Sequence, residues 1–226
     1  MSNIHIPKAG FDFLKKLKRN NNRDWFLENK HLYEENLKTP LQKVIIELGK
    51  NLSNKATGIH FDPKRSIFRM NRDVRFSNNK DPYKTNIGAS FVSYRHNKKD
   101  EFPGLYIHIE PGNCFIGGGL YMPSGEQIRK IRELINQDPD TFKKIISTTN
   151  VKKYFAGLSG EKLKTAPRGT AADHPNIELL RWKQFVYIKR YKDVDFQKGN
   201  LAKTVEKEFI TMMPLVNWLN KALTLW

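Results

Sequence analysis

The chain has 226 residues, 38% of them hydrophobic and 12% aromatic, enough to bury a core and too apolar for a disordered chain. Forty lysines and arginines against 23 acids leave a formal charge of +17, which favours nucleic acid, phosphorylated ligands or other acidic partners unless the excess is solvated background. One cysteine, Cys114, excludes an internal disulfide, the N-terminus MSNIHIPKAGFDF lacks a secretory apolar run, and no stretch reaches membrane-spanning length, so a soluble cytoplasmic protein with no membrane partner is expected.

A short amphipathic helix is predicted over 8–19 from Phe11, Leu14 and Leu17. Asn20-Asn21-Asn22 breaks it. A longer helix follows from about Arg23, with Trp25, Phe26, Leu32, Tyr33 and Leu37 as its apolar stripe. Thr39-Pro40-Leu41-Gln42 reads as a restart: Thr39 can cap, Pro40 suits the first helical position, and Gln42 can close a capping box. The next helix runs through Leu41, Val44, Ile45, Leu48 and Leu52. This helical region, 1–56, is expected to lie over one face of a sheet.

Ser53 to Pro63 is a polar linker. Arg65 to Lys84, RSIFRMNRDVRFSNNKDPYK, then opens the expected core sheet of 64–122. As a strand it would put Ser66, Phe68, Met70, Arg72, Val74 and Phe76 on a mostly apolar face. Arg65, Ile67, Arg69, Asn71, Asp73 and Arg75 would lie on a polar one. Arg72 interrupts the apolar face, so either an acid such as Asp73 or Glu110 pairs with it or the strand ends before it. Ser77 to Pro82 is turn chemistry. Guanidinium forks match phosphate and carboxylate oxygens, which makes Arg69, Arg72, Asp73, Arg75, Lys80, Tyr83 and Lys84 candidate ligand-binding residues. The alternative is a solvated arginine face with a few weak ion pairs.

Ile87 to Tyr94 is predicted as a strand and Asn97-Lys98-Lys99-Asp100 as a turn. Leu105 to Glu110 alternates, with Leu105, Ile107 and Ile109 on one side and Tyr106, His108 and Glu110 on the other. Pro111-Gly112-Asn113 turns the chain and Cys114 to Met122 pairs back as a hairpin. Gly117 to Gly119 mark a bulge or a close approach, not a dinucleotide fingerprint. Ser124 with Gln127 and Asp138 with Pro139 start two helices. Residues 150–164 give no clear signal. Leu163 to Pro175 is a loop carrying Arg168, Asp173 and His174, and Pro175 starts a helix through Ile177, Leu180 and Arg181, with Asp173 or His174 as its cap. Phe185 to Tyr191 is a further strand. Asn200 starts a last helix that Pro214 should kink.

If the Tyr106–His108–Glu110 face meets the polar side of Arg69 to Arg75, a pocket results with a histidine, a carboxylate and several arginines. Gly118 and Gly119 would give it room, and the loop with Arg168 and Asp173 could close over it. His108, Glu110 and His174 are its candidate catalytic residues, as general acid or base. The plainer reading makes His108 a buried histidine bonded to its strand neighbours or Glu110, and Asp173 a helix cap. Ligand spacing for a metal is missing, although His108, Glu110, Asp173 and His174 are suitable donor types. No metal and no cofactor are expected, and Cys114 is read as a small buried residue.

Three motifs, RMNRDVRFSNNKDPYKTN, GLYIHIEPGNCFIGGGLY and LKTAPRGTAADHPNIELLRWKQF, occur in this order. Together they resemble the bacterial and fungal family called domain of unknown function 2461, from Phe11 to the last helix. Asn79 stands where the family pattern often has a charged residue. The resemblance implies one compact α+β domain and no particular activity.

The expectation is thus α+β: a single, mainly antiparallel sheet of about five or six strands, packed by N-terminal, middle and C-terminal helices, with 124–226 supplying helices and one more strand. Three functions fit. The first is a binding protein with an Arg/Lys-rich pocket for a phosphate-bearing or other anionic ligand, possibly nucleic acid. The second is a hydrolase or transferase acting on a small phosphorylated or carboxylated substrate. The third is a purely structural or protein-interaction domain whose basic surface meets an acidic partner. Oligomeric state is left open.

Overall fold

The computed structural model describes residues 3–56, 58–75, 77–93 and 102–224. Phe76, Tyr94 and the turn Asn97-Lys98-Lys99-Asp100 lie outside them. The elements run α1 (Lys8–Arg19), α2 (Arg23–Glu28), α3 (Lys30–Tyr33), a π-helical turn (Glu34–Lys38), α4 (Thr39–Leu52), β1 (Ile87–Val92), β2 (Gly104–Ile109), β3 (Cys114–Leu120), α5 (Gly125–Gln137), α6 (Pro139–Ile146), α7 (Thr149–Tyr154), α8 (Ile177–Leu180), β4 (Phe185–Tyr191), α9 (Asp193–Phe196) and α10 (Leu201–Thr224). The fold is α+β, with one antiparallel sheet in the order β1-β2-β3-β4. No helix among the described residues is long and apolar enough to cross a membrane.

The described sheet has four strands where about five or six were expected. The difference lies in the basic stretch, which among the described residues makes two isolated antiparallel bridges, Ile67 to Ala89 and Asn71 to Tyr83, and no strand. Asp62, just before it, and Asp73, within it, bond locally instead of leaving the backbone to a ladder. Asp62 accepts from the Lys64 and Arg65 amides, at 2.8 and 3.0 Å. Asp73 accepts from the Arg75 amide and forks with its guanidinium. Such Asp-to-backbone bonds compete with sheet pairing. The expected two-faced strand fails with it: Met70 is buried as expected, but Phe68 is 47% exposed.

The chain falls into two compact units. The first holds Met1–Phe91, Tyr106–Ile116 and Arg190–Lys207. In it Phe11, Leu14, Leu17, Leu37, Leu41, Val44, Ile45 and Leu48 are buried. Asn22 caps α2, its side chain accepting from the Trp25 amide at 3.0 Å. The expected restart at Thr39 does not form a cap. Lys38 and Thr39 are already helical, and the chain runs into α4 through the π-turn. Pro40 brings no N–H to the Asn36 carbonyl four residues before it, and its ring would crowd that oxygen. A widened turn relieves this. A Cβ on Gly10 would fall on that same carbonyl, so a glycine lets α1 approach there.

The second unit holds Val92–Leu105, Gly117–Lys189 and Glu208–Trp226. Ser124 and Gln127 form the expected capping box, and Asp138 accepts from the Thr141 amide. The helix expected from Pro175 starts later, at Ile177, and neither Asp173 nor His174 is its N-cap. His174 Nδ1 instead accepts from the Asn176 amide at 3.1 Å. Pro214 lies inside α10. Phe142 packs on Trp218, and Phe155 stacks on Tyr187 with centroids 4.9 Å apart. Gly118 and Gly119 make room for neighbours in α10 and β4, which corrects their expected role of giving a pocket space. A Cβ on Gly118 would lie 2.6 Å from Met212 Sδ of α10. Gly119 has φ +125°, and a Cβ there would fall on the Phe185 carbonyl and 2.9 Å from Val186 Cα.

Both strain and a backbone clash therefore oppose any side chain at 119. Gly119→Ala is expected to cost about 2–4 kcal/mol, read as a lowered midpoint in denaturant. An unchanged midpoint would contradict the close approach of β3 and β4.

Candidate functional site

The alternation read from sequence is realised in β2. Leu105, Ile107 and Ile109 are fully buried, which turns Tyr106 and His108 to the opposite face, with Glu110 directly after. There the three polar groups form a chain. Tyr106 Oη lies 3.0 Å from His108 Nδ1, and His108 Nε2 lies 3.3 Å from Glu110 Oε2. A carboxylate only accepts, so Nε2 carries the imidazole proton. Nδ1 is then the acceptor, and Tyr106 donates its phenolic hydrogen to it. Glu110 is held in turn by Asn113 Nδ2 at 2.9 Å and Thr85 Oγ1 at 3.5 Å. Arg190 donates to Asn113 Oδ1 at 2.6 Å.

Aromatic rings pack around the chain. Phe115 of β3 stacks on His108 with centroids 4.5 Å apart and planes at 17°, and its ring lies 5.8 Å from that of Tyr106. A Cβ on Gly88 would fall on Tyr106 Oη and 3.0 Å from Cζ, so a glycine in β1 admits the phenol. Burial sets the charges. It lowers the pKa of His108, against the pull of Glu110, with the Arg190 charge adding to the fall. It raises Tyr106 to about 12, helped by the Glu110 charge. Burial also works to raise Glu110, but hydrogen bonds from Asn113 and His108 and the nearby Lys18 charge hold it low. The resulting triad at neutral pH is a phenol, a neutral imidazole and a carboxylate.

The basic stretch forms the other wall. The bridge from Ile67 to Ala89, with Phe68 N donating to the Gly88 carbonyl at 3.0 Å, sets Phe68 6.1 Å from the Tyr106 ring. The second bridge sets Arg72 opposite Pro82 and Lys84 opposite Met70, through Arg72 N to Pro82 O and Lys84 N to Met70 O, both 2.8 Å, so Arg72 and Lys84 lie diagonally across it. Asn21 clamps that bridge, since its side chain bonds both the Tyr83 amide at 3.1 Å and the Tyr83 carbonyl at 2.9 Å. The result is an open pocket of about 450 Å³, lined by Phe68, Arg72, Asp73, Lys84, Asn86, Tyr106 and His108.

The expected arginine cluster is only partly assembled. Arg65 and Arg75 are more than three-quarters exposed and paired to Asp62 and Asp73. Hydrogen bonds from Arg75 take Asp73 down to about 2. Arg69 and Lys80 are exposed, and Lys80 reaches the Val74 carbonyl at 3.2 Å. Tyr83 is buried and stacked on Phe26, centroids 4.0 Å apart, so its ring belongs to the core. Arg72 and Lys84 remain in the pocket. Among the described residues neither has a carboxylate within ion-pair distance. Lys84 Nζ lies 5.4 Å from the Phe68 centroid, and burial followed by the Arg69 charge lowers its pKa. Arg168, Asp173 and His174 belong to the second unit. Cys114 is buried, its thiol pushed up to about 12 chiefly by burial. Among the described residues no three His, Cys, Asp or Glu side chains gather as a metal site requires.

Sequence reasoning missed Phe68, Thr85, Asn86, Asn113, Phe115, Arg190 and the clamp Asn21. Asn113 and Phe115 flank the hairpin turn opposite Glu110 and His108, and hairpin pairing could have found them. Asn21 gave no such signal, because its partner lies 62 residues away.

The His108 shift has a sign. With its folded pKa below the ordinary 6.5, the unfolded chain binds more protons in the window beneath 6.5, so stability falls as pH drops through that window. The His108→Gln variant is expected to lose this part of the melting-temperature decline between pH 6.5 and 5. Equal slopes in the two proteins would contradict a buried neutral His108.

No curated protein and no solved structure matches the chain. The pattern of one family, described as Conserved hypothetical protein (DUF2461), matches residues 9–218. With nearly the whole sequence so covered, the chain is a member of the DUF2461 family.

Proposed function

We propose that the pocket on the β2 face binds a phosphate-bearing or other small anionic ligand. The observation that carries this reading is the pair Arg72 and Lys84, two cations at one hollow with no carboxylate of their own among the described residues. A desolvated lysine beside other positive charge gains when an anion arrives, and an arginine fork can hold two of its oxygens. Asp73 opposes an anion least when its charge is spent on Arg75. On this reading Arg72 and Lys84 hold the anion, and Asp73 and Tyr106 bound the site. Arg69, Arg75 and Lys80 lend long-range attraction from the rim. Nucleic acid is the macromolecular form of the same ligand. The single cysteine, which can form no internal disulfide, favours a reducing compartment such as the cytoplasm.

Binding of inorganic phosphate, followed by NMR shifts or calorimetry, tests this. Arg72→Ala and Lys84→Ala should each weaken binding about tenfold, the worth of one charge-assisted hydrogen bond, and Arg75→Ala should change it little. Equal losses in all three variants would reduce the site to general surface charge.

A second reading is favoured by the Tyr106–His108–Glu110 chain. A neutral imidazole backed by a carboxylate can take and return a proton. An enzyme acting on a small phosphorylated or carboxylated substrate would use His108 in that role. His174 is the other candidate from sequence, and its Nδ1 is engaged with the Asn176 amide. Turnover of generic phosphate esters that drops at least about a hundredfold in His108→Ala supports catalysis. Turnover equal in the two proteins counts against His108.

A further inference from the structure

Resting on the anion-binding reading, we infer that the ligand of this pocket is a nucleoside phosphate, its base laid on Phe68 and its phosphate held by Arg72 and Lys84. An anion site alone does not call for the other half of the lining. Phe68 is a large apolar side chain left 47% exposed at the wall of a pocket otherwise built of polar groups. It is not a stray surface residue: its backbone is bridged to β1, and the Tyr106 ring stands 6.1 Å away. The Phe115 ring continues the aromatic surface 5.8 Å beyond Tyr106. A ring fixed in this way offers a stacking platform at little entropic cost, and every nucleobase has a face to lay on it.

Cation and platform are also paired in space. Lys84 Nζ lies 5.4 Å from the Phe68 centroid, and a nucleoside monophosphate carries its phosphate one sugar away from its base. The cavity of about 450 Å³ falls in the range of sites for small organic ligands, roughly 300–1,000 Å³, and far exceeds a bare phosphate. Asn86 supplies an amide that can both donate and accept, and the Asp73 carboxylate accepts. These are the groups that read sugar hydroxyls or a base edge. The same chemistry occurs in a free nucleotide and at the phosphorylated end of a single strand.

Calorimetry with inorganic phosphate, ribose 5-phosphate, adenosine 5′-monophosphate and a single-stranded hexanucleotide bearing a 5′-phosphate separates the possibilities. Adenosine monophosphate should bind at least about fivefold tighter than ribose 5-phosphate, the lower end of what one stacked base contributes. Phe68→Ala should erase that gain and leave ribose 5-phosphate unchanged, and Phe68→Trp should restore it. A hexanucleotide tighter than the mononucleotide identifies a strand end, and the reverse order a free nucleotide; both sustain the inference. Ribose 5-phosphate and adenosine monophosphate binding equally, or a gain that survives Phe68→Ala, overturns the nucleoside while the anion reading stands. Failure of every ligand, inorganic phosphate included, overturns both.

Discussion

The period-two alternation of β2 is the constraint on which the site depends. Leu105, Ile107 and Ile109 fill the core, so Tyr106 and His108 must share the other face, with Glu110 following them. A one-residue slip would bury the polar set and expose the aliphatic one, which makes the register costly to change. The alternation thus brings a phenol, an imidazole and a carboxylate into one hydrogen-bonded line. Desolvation then settles their charges: the imidazole neutral, the phenol protonated, the carboxylate kept ionised by its donors. Buried polar groups are normally satisfied, and this chain meets that requirement through Thr85, Asn113 and, one step further, Arg190.

Electrostatics distinguishes the cations around this chain from the many others on the protein. Arg65 and Arg75 are exposed and locally paired, an arrangement worth little in water. Arg72 and Lys84 are partly desolvated at the same hollow, and the lowered pKa of Lys84 registers the cost. On the proposed reading an anion offsets that cost, and Phe68 selects among anions. The net charge of +17 would then govern how fast ligands arrive more than how tightly they are held.

Much of this was legible in the residues themselves. The β2–β3 hairpin, the capping box at Ser124, the Asp138 cap and the placement of Tyr106, His108 and Glu110 on one face follow from local pattern. What escaped is pairing at a distance. Apolar alternation put Phe68 in the core, but Asp62 and Asp73 divert the backbone into turns and leave Phe68 at a pocket wall. Thr39 to Gln42 carries the letters of a helix start, yet Pro40 sits within a continuous helix because a π-turn precedes it. Gly118 and Gly119 signal close approach correctly, but nothing local says that Met212 and Phe185 are what approaches. Tyr83 reads as a polar partner for a ligand until its stack on Phe26 and its clamp by Asn21 are seen.

On the proposed reading Arg72 and Lys84 act as one anion site beside the Tyr106–His108 chain. A crystal soaked in phosphate measures it most directly. One ion is expected in the pocket, bonded to the Arg72 guanidinium and Lys84 Nζ, with the Tyr106–His108 hydrogen bond intact. Density on Arg65, Arg69 or Arg75 instead, with the pocket holding only water, would contradict it.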